Sequence, residues 1–181
     1  NAVTSDMRHH AKAVNFGIVY GQQAFGLSQE LKISVAEAAN FIEMYFKKYP
    51  RIKDYMEFCK TEARNHGKAT TITGRERILP EINSKNFMLK NAAERLAINT
   101  PLQGSAADLI KMAMLKVDNL FQKNKHIGYM ILQIHDELIF EIPDFEIIAI
   151  EPLVKNAMEN ILNLKVPLIV NLDKKKNWKK C

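Results

Sequence analysis

DMRHHAKAVNFGIVY (residues 6–20), followed by Gly21, spaces its cations and rings at a helical interval. Thr4, Ser5 and Asp6 supply N-cap chemistry, so a helix opens there. Arg8, Lys12, Phe16 and Tyr20 are each four apart, which makes them neighbours on a helix surface. Each step of four turns about 40° round the axis and climbs about 6 Å. The four form a shallow spiral of two cations followed by two rings. Locally this is unfavourable, because like charges at i, i+4 repel and both cations sit near the positive end of the helix dipole. A polyanion docked beside Arg8 and Lys12 would reverse both penalties. The rings would then meet a sugar and a base roughly 6–12 Å beyond the phosphates. An amphipathic helix with a solvated basic end and a buried aromatic end fits the same spacing.

Two further constellations stand beside this helix. YMILQI and LIFEI (129–134 and 138–142) read as two apolar strands, with His135, Asp136 and Glu137 between them in a tight hairpin. Asp136 is a hard oxygen ligand suited to Mg²⁺, which binds through one or two carboxylates plus substrate phosphates. In an extended strand Asp136 and Glu137 would face opposite ways, so one ion would not take both. The alternative is a polar surface turn. The third constellation is Arg95, Asn99 and Gln103, again four apart, across Pro101. Hydrogen-bond donors of this kind suit the acceptors that every base pair presents in the minor groove. The alternative is an ordinary solvated helix face.

These stretches resemble DNA polymerase family A, the DNA polymerase I type. Arg-x3-Lys-x3-Phe-Gly-x2-Tyr-Gly, with Asn15, is similar to motif B of that family, and Gln133-Ile-His135-Asp136-Glu137 to motif C. The segment 91–104 resembles the stretch before motif C, and Thr73-Gly-Arg75-Glu-Arg77-Ile-Leu-Pro80 also matches the family, in the family's order. The resemblance implies an α+β architecture. Helical fingers (1–67) would be followed by a palm portion (68–181) with a mostly antiparallel sheet packed on helices. It implies template-directed transfer of deoxynucleotides to a primer 3′ end. Arg8, Lys12, Phe16 and Tyr20 would hold the nucleotide. Asp136 would bind Mg²⁺ with Glu137 a nearby acid. Arg75, Arg95, Asn99, Gln103 and His135 would contact primer–template DNA. The cationic helix and the acidic hairpin would bracket the triphosphate. The family's motif A, with the first metal-binding aspartate, is expected upstream of Asn1. The piece by itself would then be inactive, and the full-length protein a monomer associated with the bacterial nucleoid. A non-catalytic nucleic-acid-binding module is the alternative of another class.

The remaining sequence bounds these readings. With 181 residues, 47% hydrophobic, the chain can bury a core, and a net charge of +6 favours a polyanionic partner. No apolar run approaches the roughly 18 residues of a membrane span. Cys59 and Cys181 form no metal spacing, the pattern of a cytosolic free-thiol protein. Ser34 and Glu37 make a capping box for a helix broken at Tyr49-Pro50. Helices are expected over 52–65, 85–98, 101–123 and 144–163, the last despite Pro152. Thr100-Pro101 is expected to interrupt helix, and the 101–123 helix to lie on a sheet. Strands are expected at 69–73 and 166–172. A basic tail with Trp178 follows.

Overall fold

The computed structural model describes residues 3–177, with the side chains of Ser5, Asp6, His9, His10 and Ala13 left undescribed. Trp178 and Cys181 therefore lie outside the described residues. The chain forms two compact units, 1–104 and 105–181.

The first unit is mostly helical. α1 (Ser5–Val19) starts at Thr4, whose hydroxyl accepts from the Met7 amide at 3.2 Å. α2 (Ala24–Leu31) ends at Lys32 in the left-handed region, and α3 (Val35–Lys48) opens with the Ser34–Glu37 capping box. α4 (Pro50–His66) follows at once, with Pro50 in the first turn where its missing N–H costs nothing. Gly67, at φ +66°, closes it. Ile18, Leu27 and Ala38 are the buried centre of α1–α3, joined by Val14, Ile42, Tyr45 and Phe46. A second cluster of Met56, Cys59 and Ile98 brings α4 to α5 (Phe87–Asn99). The two helices are also clipped by Arg64 Nη2 donating to Glu94 Oε1 at 2.6 Å.

β1 (Lys68–Thr70) and β2 (Glu76–Ile78) pair antiparallel, with Ala69 opposite Arg77. The strand is shorter than expected, because Gly74 at φ +88° already turns the chain and Thr71 N–H bonds Arg75 O across that turn. Asn86 caps α5 by accepting from Met88 and Leu89 amides. The expected break at Pro101 does not occur. Thr100 keeps helical geometry, and Thr100–Gly104 form a wider π-helical turn that runs on into the next helix. An enlarged turn absorbs a residue that cannot donate to the ladder.

The second unit holds α6 (Ser105–Asn124), β3 (Tyr129–Ile134), β4 (Glu137–Glu141) and α7 (Ile147–Glu159). β3 and β4 pair antiparallel around a two-residue loop, His135-Asp136, with a bulge near Ile131. Val117 and Phe121 of α6 are buried with Ile150, Val154 and Ala157 of α7. Met130, Phe140 and Ile142 pack against them, so the far half of α6 lies on the hairpin as expected. His126 Nδ1 and Glu146 Oε2, 2.7 Å apart, tie the loop after α6 to the turn before α7.

Residues 166–172 do not form the expected strand. Extended backbone becomes a strand only against a neighbouring ladder, and the described residues offer this segment none. It is held instead by Val170 N–H donating to Glu159 Oε1 at 2.9 Å and by the Lys174–Glu151 ion pair.

Candidate nucleotide and nucleic-acid site

α1 presents the cation–ring spiral to solvent. The same 3.6 period that sends Val14 and Ile18 into the core leaves Arg8, Lys12 and Phe16 exposed. Lys12 Nζ lies 5.9 Å from the Phe16 ring centroid. Phe16 and Tyr20 stack with centroids 6.0 Å apart and planes 26° apart. The aromatic end is therefore not buried: Phe16 is 50% exposed. Among the described residues neither Arg8 nor Lys12 has a carboxylate partner, so both charges remain available to an anion. Gly17 gives Gln22 its place. A Cβ there would collide with Gln22 Oε1, and Gln22 Nε2 donates to Glu30 at 3.1 Å.

The Arg95–Asn99–Gln103 constellation divides. Arg75, Asn99 and Gln103 border one hollow of about 330 Å³, together with Thr71, Arg77, Thr100 and Gly104. Arg95 borders a different hollow of about 360 Å³, beside Gly21 and Ile98. A Cβ on Gly21 would lie 3.3 Å from Arg95 Cγ, so the end of α1 and this arginine touch closely. Arg95 and Asn99 both lie on α5, before the π-helical turn, so the turn is not what parts them.

Arg75 spans the first hollow. Its backbone N–H donates to Thr71 Oγ1 at 3.1 Å, and its Nη2 donates to Gly104 O at 3.1 Å. Asn99 Oδ1 and Thr100 Oγ1 border this hollow, and both are buried without a hydrogen-bond partner among the described residues. Buried oxygens of this kind ask for a donor, from water or a ligand. Thr100 and Gly104 carry no signal of their own in the sequence. Their importance comes from the π turn, which places Gly104 so that a Cβ would sit 2.7 Å from Thr71 Cγ2. Neither residue type advertises that.

The acidic constellation is the β3–β4 loop. His135 takes φ +52° and Asp136 does not take a positive φ, the sign pattern of a hairpin turn that favours glycine first. Gln133 Nε2 donates to His135 O at 2.6 Å and holds the turn. A non-glycine residue in this region costs energy and persists where its side chain is needed. Asp136 and Glu137 are exposed, and neither has a side-chain hydrogen bond or ion pair among the described residues. Asp136 occupies the loop and Glu137 begins β4. The free Asp136 carboxylate suits a hard cation that completes its shell with water and phosphate oxygens. No cluster of three or more ligating side chains exists among the described residues, so the loop is a partial donor set. No described helix is long and apolar enough to cross a membrane.

Known proteins share this pattern. The family described as DNA polymerase family A matches residues 1–180. DNA polymerase I of Streptococcus pneumoniae is 46% identical over 176 residues, covering 97% of this chain and 20% of that protein. DNA polymerase I of Bacillus caldotenax is 48% identical over the same length, with the same shares. Among solved structures, the POL domain of Pol1 from M. smegmatis, in complex with DNA primer-template and dNTP, superposes with a TM-score of 0.89 at 43% identity. That match covers 92% of this chain and 29% of the other. The chain thus spans about one fifth of the length of its curated relatives. With the family's pattern matched from residue 1 to residue 180, this chain belongs to DNA polymerase family A.

Proposed function

We propose that this chain is the fingers portion (1–67) and C-terminal palm portion (68–181) of a DNA polymerase I. The whole protein would add deoxynucleotides to a primer 3′ end under the direction of a template. The observation that carries the reading is the run Arg8–Lys12–Phe16–Tyr20 on a helix anchored by Val14 and Ile18, its two exposed cations without a carboxylate partner among the described residues and its two rings stacked. A nucleoside triphosphate offers that run its complement: phosphates for the cations, a sugar for Phe16, and a template base near Tyr20.

Phosphoryl transfer needs in-line positioning and charge neutralisation more than covalent help. The primer 3′ oxygen attacks the α-phosphorus and pyrophosphate leaves. Arg8 and Lys12 hold the β- and γ-phosphates, and Lys12 donates a hydrogen bond to the departing oxygen. Asp136 would hold Mg²⁺ with Glu137 nearby, and the ion would supply charge neutralisation for the transfer. His135 lies at the primer end. Arg95, Asn99, Gln103 and His135 grip the primer–template minor groove by donating to acceptors common to all base pairs, and Arg75 contacts the same DNA. α1 swings inward on a correct nucleotide, a gating step. The full-length protein acts as a monomer at the bacterial nucleoid.

The test is metal-dependent nucleotide binding by the full-length polymerase with primer–template DNA. Asp136→Ala abolishes turnover and removes the Mg²⁺ dependence of binding while leaving DNA affinity nearly unchanged. Normal turnover by Asp136→Ala would overturn the assignment.

A further inference from the structure

A second basic stretch, made of residues not assigned above, lies where α3 meets α4. The sequence there is KKYPRIK, residues 47–53, and it holds four cations without an acid. All four are exposed, and none has a carboxylate partner among the described residues. Lys47 and Lys48 suit the negative end of the α3 dipole. Arg51 and Lys53 do not suit α4, whose first turn has no acidic residue and no side-chain cap. Their placement opposes the dipole and crowds like charge, costs that a bound polyanion would remove.

An aromatic ring sits at the centre of this corner. Tyr49 is 43% exposed, lies 5.1 Å from the Tyr45 ring, and carries Lys48 Nζ 5.6 Å from its own centroid. The corner thus packs a half-exposed ring against Tyr45 with one cation, Lys48, beside it and three more in the flanking sequence. Rings lead away along both helices. Phe41 and Met44 share a stripe with Lys48 on α3, and Tyr55 and Phe58 share one with Arg51 on α4. Phe41 and Phe58 are more than half exposed. Fixed rings among unpaired cations suit a strand with accessible base faces and a charged backbone.

We propose that the α3–α4 corner binds single-stranded DNA, with Lys47, Lys48, Arg51 and Lys53 on its phosphates and a base stacked on Tyr49. A duplex would offer the phosphates but keep its base faces stacked away. This surface is independent of the nucleotide and minor-groove assignments, and it can fail or hold without them.

The measurement is affinity of the full-length polymerase for fluorescent oligothymidylate, and separately for a blunt duplex, across a range of salt. Replacing Lys47, Lys48, Arg51 and Lys53 together by Gln weakens oligothymidylate binding at least about tenfold at low salt. The slope of log affinity on log salt falls by about 0.7 for each phosphate that the variant no longer neutralises. Tyr49→Ala weakens binding about fivefold or more at unchanged slope, and Tyr49→Phe binds as the parent does. Blunt-duplex affinity stays within about twofold. An unchanged oligothymidylate affinity and slope would overturn the proposal. So would an equal loss on the blunt duplex, which marks general electrostatics. A lowered Tm with unchanged oligothymidylate affinity would also overturn it, since the corner would then pack against the rest of the full-length chain.

Discussion

Ser34 and Glu37 show how much a single residue pair determines. Ser34 Oγ accepts from the Glu37 amide at 3.2 Å, and Glu37 Oε2 accepts from the Ser34 amide at 2.9 Å. The Ser34 hydroxyl also donates to that carboxylate at 2.7 Å. Those hydrogen bonds hold the Glu37 carboxyl below its usual range. Its contribution is therefore present above the ordinary glutamate pKa and is lost as pH falls through the lowered value. Ser34→Ala should cost about 1 kcal/mol, and thermal melts of the two proteins check it. The first-turn amides of α3 should lose hydrogen-exchange protection in acid in the parent. Spacing alone reveals this pair, because each partner's chemistry is local. The positive φ of His135 is not legible in the same way, since histidine is not a turn residue of that kind. Only the two-residue register of β3 and β4 forces it there.

At the scale of elements, the junction after α5 departs most from its sequence. Pro101 reads as a stop, but the chain widens into a π-helical turn and continues. Periodicity shows which residues share a face, and it does not show a change of pitch. Around this junction Asn99 and Gln103 border one hollow with Arg75, while Arg95, a turn earlier on α5, borders another. Gly104 is the residue that lets the turn close on Thr71. Gly104→Ala should destabilise the protein by about 1–3 kcal/mol, since Thr71 is buried and cannot move aside cheaply. Thermal unfolding checks that value, and a melt like the parent's would show that Thr71 yields. The hairpin, by contrast, is legible to within a residue, because two apolar runs flank a polar pair. Residues 166–172 have the composition of a strand, and strand formation depends on a partner that composition does not contain.

For the molecule as a whole, composition and motif spacing point to the family, and the match over residues 1–180 bears that out. The chain spans about one fifth of its curated relatives and brings one acidic loop, Asp136-Glu137, with no larger ligating cluster among the described residues. We therefore expect the 181 residues alone not to extend a primer, and extension by the purified piece would contradict this. The most direct measurement of the central claim is single-turnover nucleotide incorporation by the full-length polymerase carrying Lys12→Ala. The account predicts a rate about 100-fold lower or worse, a barrier raised by about 2.7 kcal/mol or more, with primer–template affinity retained. Incorporation at the parent's rate would contradict it.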